Sequence, residues 1–167
     1  MWDGMVDGSI SSIATDGLCT PFAVKISGNR IDNTVGGSAG IEPRVSIMYT
    51  ETVVRRGWSL DLFVDLIAAN AARIFGLYPR KGVIAPGSDA DVVVLDPALG
   101  GPLRKENLHE TDYSAWEGYD AAVWPSLTVL RGKVVVEGGN FHGEPRDGKW
   151  LPRKIAESIL SGPARVG

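Results

Sequence analysis

An α/β fold in two unlike parts is what this chain predicts. Three features lead there: a run of small and apolar residues, Ser11-Ser12-Ile13-Ala14-Thr15, closed by Asp16; helical spacing between Glu42 and Phe75; and a change to extended periodicity near Gly82 that lasts to Val136. With 167 residues, 44% hydrophobic and 22% charged, the composition is that of an ordinary globular protein. A net charge of -3 and a pI near 5.4 offer no basic footprint for nucleic acid or an anionic membrane. No apolar run has the length of a membrane span, and the N-terminus lacks a charged-then-apolar signal pattern, so a cytoplasmic protein is expected.

Taken in order, Met1 to Asp7 reads as the end of a helix closed by Gly8, as though the sequence opens inside a larger element. Ser11 to Asp16 reads as a buried strand that delivers Asp16 to its C-terminal rim, where parallel α/β folds place their chemistry. The structural alternative is an Asp that caps its own turn. Cys19, the single cysteine, can form neither an internal disulfide nor a thiolate cluster; it is a small hydrophobe or, beside Asp16, a nucleophile. Pro21 to Gly40 has no sustained period and reads as a long loop, of the kind that is usually functional or mobile.

Glu42-Pro43 opens a helix to Arg56, with Val45, Met48, Tyr49 and Thr52 on one face and Glu51 one turn ahead of Arg55. Ser59 is the N-cap of the next helix, and Trp58 with Phe63 has staple spacing. Leu60, Phe63, Val64 and Ile67 make its stripe, while Leu62 and Leu66 lie outside it and call for cover on more than one side. Asn70 is placed to cap a third helix, Ala71 to Phe75, stopped by Gly76. Beyond Gly82, Val83-Ile84, Val92 to Leu95, Leu127 to Leu130 and Val134 to Val136 read as strands, the last two as a hairpin. Leu103 to Val123 is an irregular connection anchored by Tyr113, Trp116 and Tyr119, with Trp124 directly after it, and Pro152 to Leu160 reads as a short helix.

Several constellations could carry chemistry. Gly36-Gly37-Ser38-Ala39-Gly40 matches the G-x-S-x-G nucleophile elbow, with Asp112, Asp120 and His142 downstream, but Asn29 to Val35 is too polar for the buried strand an elbow requires. The same turn before Pro43 could hold an anion at a helix N-terminus. Asp89 and Asp91 have the spacing of a metal pair on one side of a strand; without a nearby His they are expected to satisfy loop backbone instead. His109 and His142, the only histidines, lie in no metal-binding spacing.

Asn70 to Gly82, Gly87-Ser88-Asp89-Ala90-Asp91, Asp112-Tyr113 with Trp116-Glu117-Gly118, and Arg131 to Val135 together resemble the C-terminal part of the hydantoinase and dihydropyrimidinase family of cyclic amidohydrolases. The resemblance implies the C-terminal part of a metal-dependent (β/α)8 barrel plus part of a β-sandwich. Residues 1–82 would close the barrel, residues 83–140 would belong to the sandwich, and residues 141–167 would form an oligomer-contacting tail. It also implies a homotetramer and ring-opening hydrolysis of a cyclic ureide or imide by water that two divalent ions, usually zinc, activate. In this resemblance Asp16 is a metal ligand and the catalytic proton carrier, and Gly36 and Gly37 fall at the loop that touches substrate through its main chain. Two departures stand out. Gly17 occupies the position where the family usually has His, and the remaining metal ligands have no counterpart here, so the chain alone is expected to be inactive until a missing N-terminal barrel segment, on the same or another polypeptide, is supplied. A non-catalytic scaffold or oligomerisation relative of the family, and a serine hydrolase using Ser38, are the alternatives.

Overall fold

A computed structural model of the chain describes residues 1–162. Helix α1 (Trp2–Asp7) ends at Gly8, whose left-handed φ of 87° lets the chain leave the helix without a Cβ clash. The stretch from Ser11 to Asp16 is extended but is not a strand. Its one ladder contact is an isolated parallel bridge from Gly17 to Ser38. The reason is a lack of neighbours: a parallel strand needs flanking strands, and here side chains and a helix end take their place. Ile13 N–H donates to the Leu66 carbonyl (3.0 Å), while the carbonyls of Ser11 and Ile13 accept from Asn70 Nδ2 and an Arg44 guanidinium nitrogen, each at 2.9 Å.

The loop expected from Pro21 to Gly40 holds a short helix, α2 (Phe22–Lys25), and a 3-10 turn, Ile31–Asn33. Helix α3 (Arg44–Tyr49) runs on through a π-helical turn, Thr50–Val54. Ser59 caps α4 (Leu60–Val64) as expected, its Oγ accepting from Leu62 N–H at 3.2 Å. Asn70 is not a cap. A second π-helical turn, Asp65–Ala69, joins α4 directly to α5 (Asn70–Ile74), and Asn70 is buried inside this continuous rod.

The π turns also correct the expected faces. Each widens the helix by one residue and shifts the phase of everything after it. In α3 the buried residues are Ser46 and Ile47, followed by Thr50 and Thr52 in the π turn, rather than Val45, Met48 and Tyr49. Thr50 and Thr52 are buried because their hydroxyls bond back to the carbonyls of Ser46 (2.7 Å) and Met48 (2.6 Å). In the second rod Phe63, Leu66, Ala69 and Ala72 are buried, while Leu60 and Val64 of the expected stripe are 57% and 44% exposed.

The second part is an antiparallel sheet in the order β1 (Val92–Asp96), β4 (Trp124–Leu130), β5 (Lys133–Glu137), β6 (Asn140–Phe141), with a two-stranded pair, β2 (Gly101–Pro102) and β3 (Asp120–Ala121), beside it. Leu130 pairs with Lys133 across Arg131-Gly132, both at positive φ (49° and 81°), as a two-residue hairpin requires. Val83-Ile84 forms no strand, and Ile84 is exposed. The helix expected from Pro152 is confined to α6 (Glu157–Leu160), because the residues before it run extended and Lys154 N–H bonds the Gly76 carbonyl at 3.1 Å. The core sits where the parts meet: Ile47 of α3 packs on Leu103 and on Ala121 of β3, with Tyr119 and Trp124 against them.

Candidate active site

Asp16 stands at the end of the extended segment with φ 47°, a left-handed conformation uncommon for any residue other than glycine. Aspartate tolerates it at a cost of about 1 kcal/mol, and such outliers gather at functional positions. Its residue is exposed, and its carboxylate has no hydrogen-bond or ion-pair partner among the described residues. The Gly17–Ser38 bridge, with Leu18 N–H donating to Ser38 O at 3.3 Å, brings the Gly-rich loop alongside. Gly37 is fitted to this approach twice over. Its φ is 71°, and a Cβ there would lie 2.8 Å from the Asp16 carbonyl oxygen and 2.8 Å from Leu18 Cβ. At Gly36 the space is open. Asp16, Gly36 and Gly37, far apart in sequence, thus lie side by side.

Lys25 fixes the loop from the other side: its ammonium donates to the carbonyls of both Val35 and Gly37. A cavity of about 310 Å³ opens next to Asp16, lined by Ile13, Thr15, Ser38, Met48 and Trp116 among others. Lys25, Arg44 and Asn70 were not marked by the sequence, since each acts on a backbone carbonyl and leaves no motif.

The other candidates are committed elsewhere. The Asp112 carboxylate accepts from Phe22 N–H at 2.8 Å and from Thr111 at 3.2 Å, and the Phe22 bond holds it below the usual carboxylate range. Asp120 is in β3, and His142 follows β6 with its N–H on the Val135 carbonyl. The segment before Ser38 turns through 3-10 geometry instead of forming a strand, so the elbow context is absent. Asp89 and Asp91 form no metal pair. Both bond the Lys81 ammonium, Asp89 also takes Arg80 Nε at 3.1 Å, and Asp91 accepts Arg131 N–H at 2.8 Å. His109 is bound through Nδ1 to Glu42 at 2.9 Å. Among the described residues no three His, Cys, Asp or Glu side chains gather into a set that could hold a metal, and no helix is long and apolar enough to cross a membrane.

Residues 1–135 match the model of the amidohydrolase family. The chain belongs to the amidohydrolase family. It is 37% identical over 157 residues to D-phenylhydantoinase from Escherichia coli O1:K1, a match that takes in 92% of this chain and 34% of the relative. Among solved structures it superposes on the D-hydantoinase (dihydropyrimidinase) from a Thermus species with a TM-score of 0.85 and 40% identity, covering 91% of this chain and 34% of that one. With the dihydropyrimidinase from Brevibacillus agri the TM-score is 0.88 at 31% identity, covering 93% and 35%. The chain therefore spans about a third of the length of the relatives it matches. Hydantoinases have a metal-dependent (β/α)8 barrel, and the fold here is part of that architecture. The donors present fit one ligand of such a metal site, the free Asp16 carboxylate, and not a whole one.

Proposed function

We propose that this chain supplies the Asp16 end of a cyclic amidohydrolase that opens a hydantoin or dihydropyrimidine ring. One observation carries the reading: an unpaired, strained carboxylate lies against the Gly36-Gly37 backbone in a chain 37% identical to D-phenylhydantoinase. Residues 1–82 close the barrel, residues 83–140 enter the sandwich, and residues 141–167 make oligomer contacts in a cytoplasmic homotetramer. The barrel segment with the other metal ligands comes from elsewhere in the same or a separate polypeptide. Two divalent ions, zinc by preference, would there polarise the ring carbonyl and acidify water.

Asp16 is one of the ligands and also the proton carrier. As the water oxygen bonds the carbonyl carbon, Asp16 takes the water proton, and as the C–N bond breaks it hands that proton to the leaving nitrogen. The backbone of Gly36 and Gly37 orients the ring, a task that needs no side chain.

The test is metal analysis and a hydantoin-opening assay on the complete assembly. Asp16→Ala is expected to lower kcat by roughly 10²- to 10⁴-fold and to reduce bound metal. Unchanged turnover in that variant rejects the role of Asp16. Normal assembly without metal or turnover identifies a scaffold relative instead, and covalent labelling of Ser38 by a serine-directed probe identifies a serine hydrolase.

A further inference from the structure

One segment of the second part reaches back over the loops that carry Asp16 and Gly37. Between His109 and Tyr113 every residue bonds the Thr20 to Glu42 region. His109 N–H and Nδ1 meet the Glu42 carboxylate at 2.7 and 2.9 Å. Glu110 Oε2 accepts Ile41 N–H at 2.9 Å. The Thr111 hydroxyl donates to the Thr20 carbonyl at 3.0 Å, and Asp112 accepts Phe22 N–H at 2.8 Å. Tyr113 OH accepts Ala39 N–H at 3.4 Å, and its ring centroid lies 5.4 Å from that of Phe22.

We infer that residues 109–113 form a strap of positioning residues, Glu110 and Asp112 foremost, that sets the distance between the Asp16 carboxylate and the Gly36-Gly37 backbone. Two separated pieces of chain must be held in one geometry. Thr20 and Phe22 follow Asp16 by a few residues, while Ala39, Ile41 and Glu42 follow Gly37. Between these pieces the bridge at Gly17–Ser38 is a single ladder contact, too little to fix a spacing. The strap binds both pieces, and it does so with carboxylates on backbone N–H groups, the stronger kind of hydrogen bond. Glu110 holds its Oε1 buried and without a partner among the described residues while Oε2 keeps Ile41. Such a desolvated oxygen is unfavourable, so the strap is maintained against a local cost.

The inference rests on the ring-opening reading, and the experiment separates the two. In the complete enzyme, compare Glu110→Ala with Asp112→Ala combined, Glu110→Gln with Asp112→Asn combined, and Val129→Ala as a sheet variant that leaves the strap alone. Amide hydrogen exchange, read without substrate, is expected to rise at Phe22 and Ile41 in the alanine pair and to return toward the parent rate in the amide pair, which keeps both acceptors. A displacement of about 1 Å at a reacting group is enough for a rate loss on the order of 10²-fold, so kcat/KM for hydantoin opening is expected to fall at least tenfold in the alanine pair. It is expected to stay within threefold of the parent in the amide pair and in Val129→Ala. Faster exchange with kcat/KM unchanged overturns the positioning role, as does exchange that moves in none of the variants. A parent enzyme that opens no ring overturns the hydrolase reading, and the exchange data distinguish that outcome from a strap that does not hold.

Discussion

At position 17 a Cβ atom would lie 2.4 Å from Ile41 Cγ1 and 2.7 Å from Ile41 Cδ1. The residue that follows the candidate metal ligand is thus glycine for a steric reason, since the isoleucine fills the volume a side chain would need. Ile41 is half-exposed, so rotation can relieve part of the conflict. Gly17→Ala is expected to destabilise the chain by about 1–3 kcal/mol, as overpacking does. The double variant with Ile41→Ala should recover at least half of that loss in denaturant unfolding. Strict additivity of the two single changes would show that the isoleucine is not the obstacle.

The element that ties the two parts together is the π turn at the end of α3. Glu51 there takes Arg55 at 2.6 Å, Arg56 at 2.5 Å and the Tyr119 hydroxyl at 2.7 Å. Hydrogen bonds from Arg56 and then Tyr119 hold the Glu51 carboxyl below its usual 4.5, while burial first and Glu51 second push the Tyr119 phenol up to about 12. The signs differ at the two ends of the pH scale. A lowered carboxylate contributes stability that is present above its unfolded pKa and lost as pH falls through the folded one; a raised phenol contributes stability that is present below 10 and lost as pH rises from 10 to about 12. Urea unfolding over pH should therefore show a shallower acid limb in Glu51→Gln and a shallower alkaline limb in Tyr119→Phe. Limbs identical to the parent in both variants would remove this pair from the account of stability.

For the whole molecule the telling quantity is surface. The chain exposes 10514 Å² at 17.8 kDa, where a folded monomer of that mass exposes about 8,000 Å². No residue of the central strand β4 is fully buried. On the outer strand β1, Val93 and Val94 are 48% and 43% exposed, which makes a flat apolar edge able to pair with another chain. Produced alone, the polypeptide is expected to self-associate at micromolar concentration, and Val94→Lys to shift it toward monomer in sedimentation velocity. A parent chain that stays monomeric would show that this edge is protected.

The sequence by itself determined the local features. Gly8, Ser59, Gly76 and the Arg131-Gly132 hairpin were readable because caps and turns depend on a few adjacent residues. The family was readable from runs such as Asn70 to Gly82, and Asp16 from its place after a small-residue run. What only the tertiary structure decided were features that depend on distant partners. The π turns moved the buried faces onto Ser46, Thr50 and Thr52. The Ser11–Asp16 run has no flanking strands and stayed unpaired. Lys25, Glu110 and Asp112 became important because they bond backbone groups of residues from 10 to 90 positions away, and a bond to a main-chain carbonyl or N–H places no demand on the residue type at its other end.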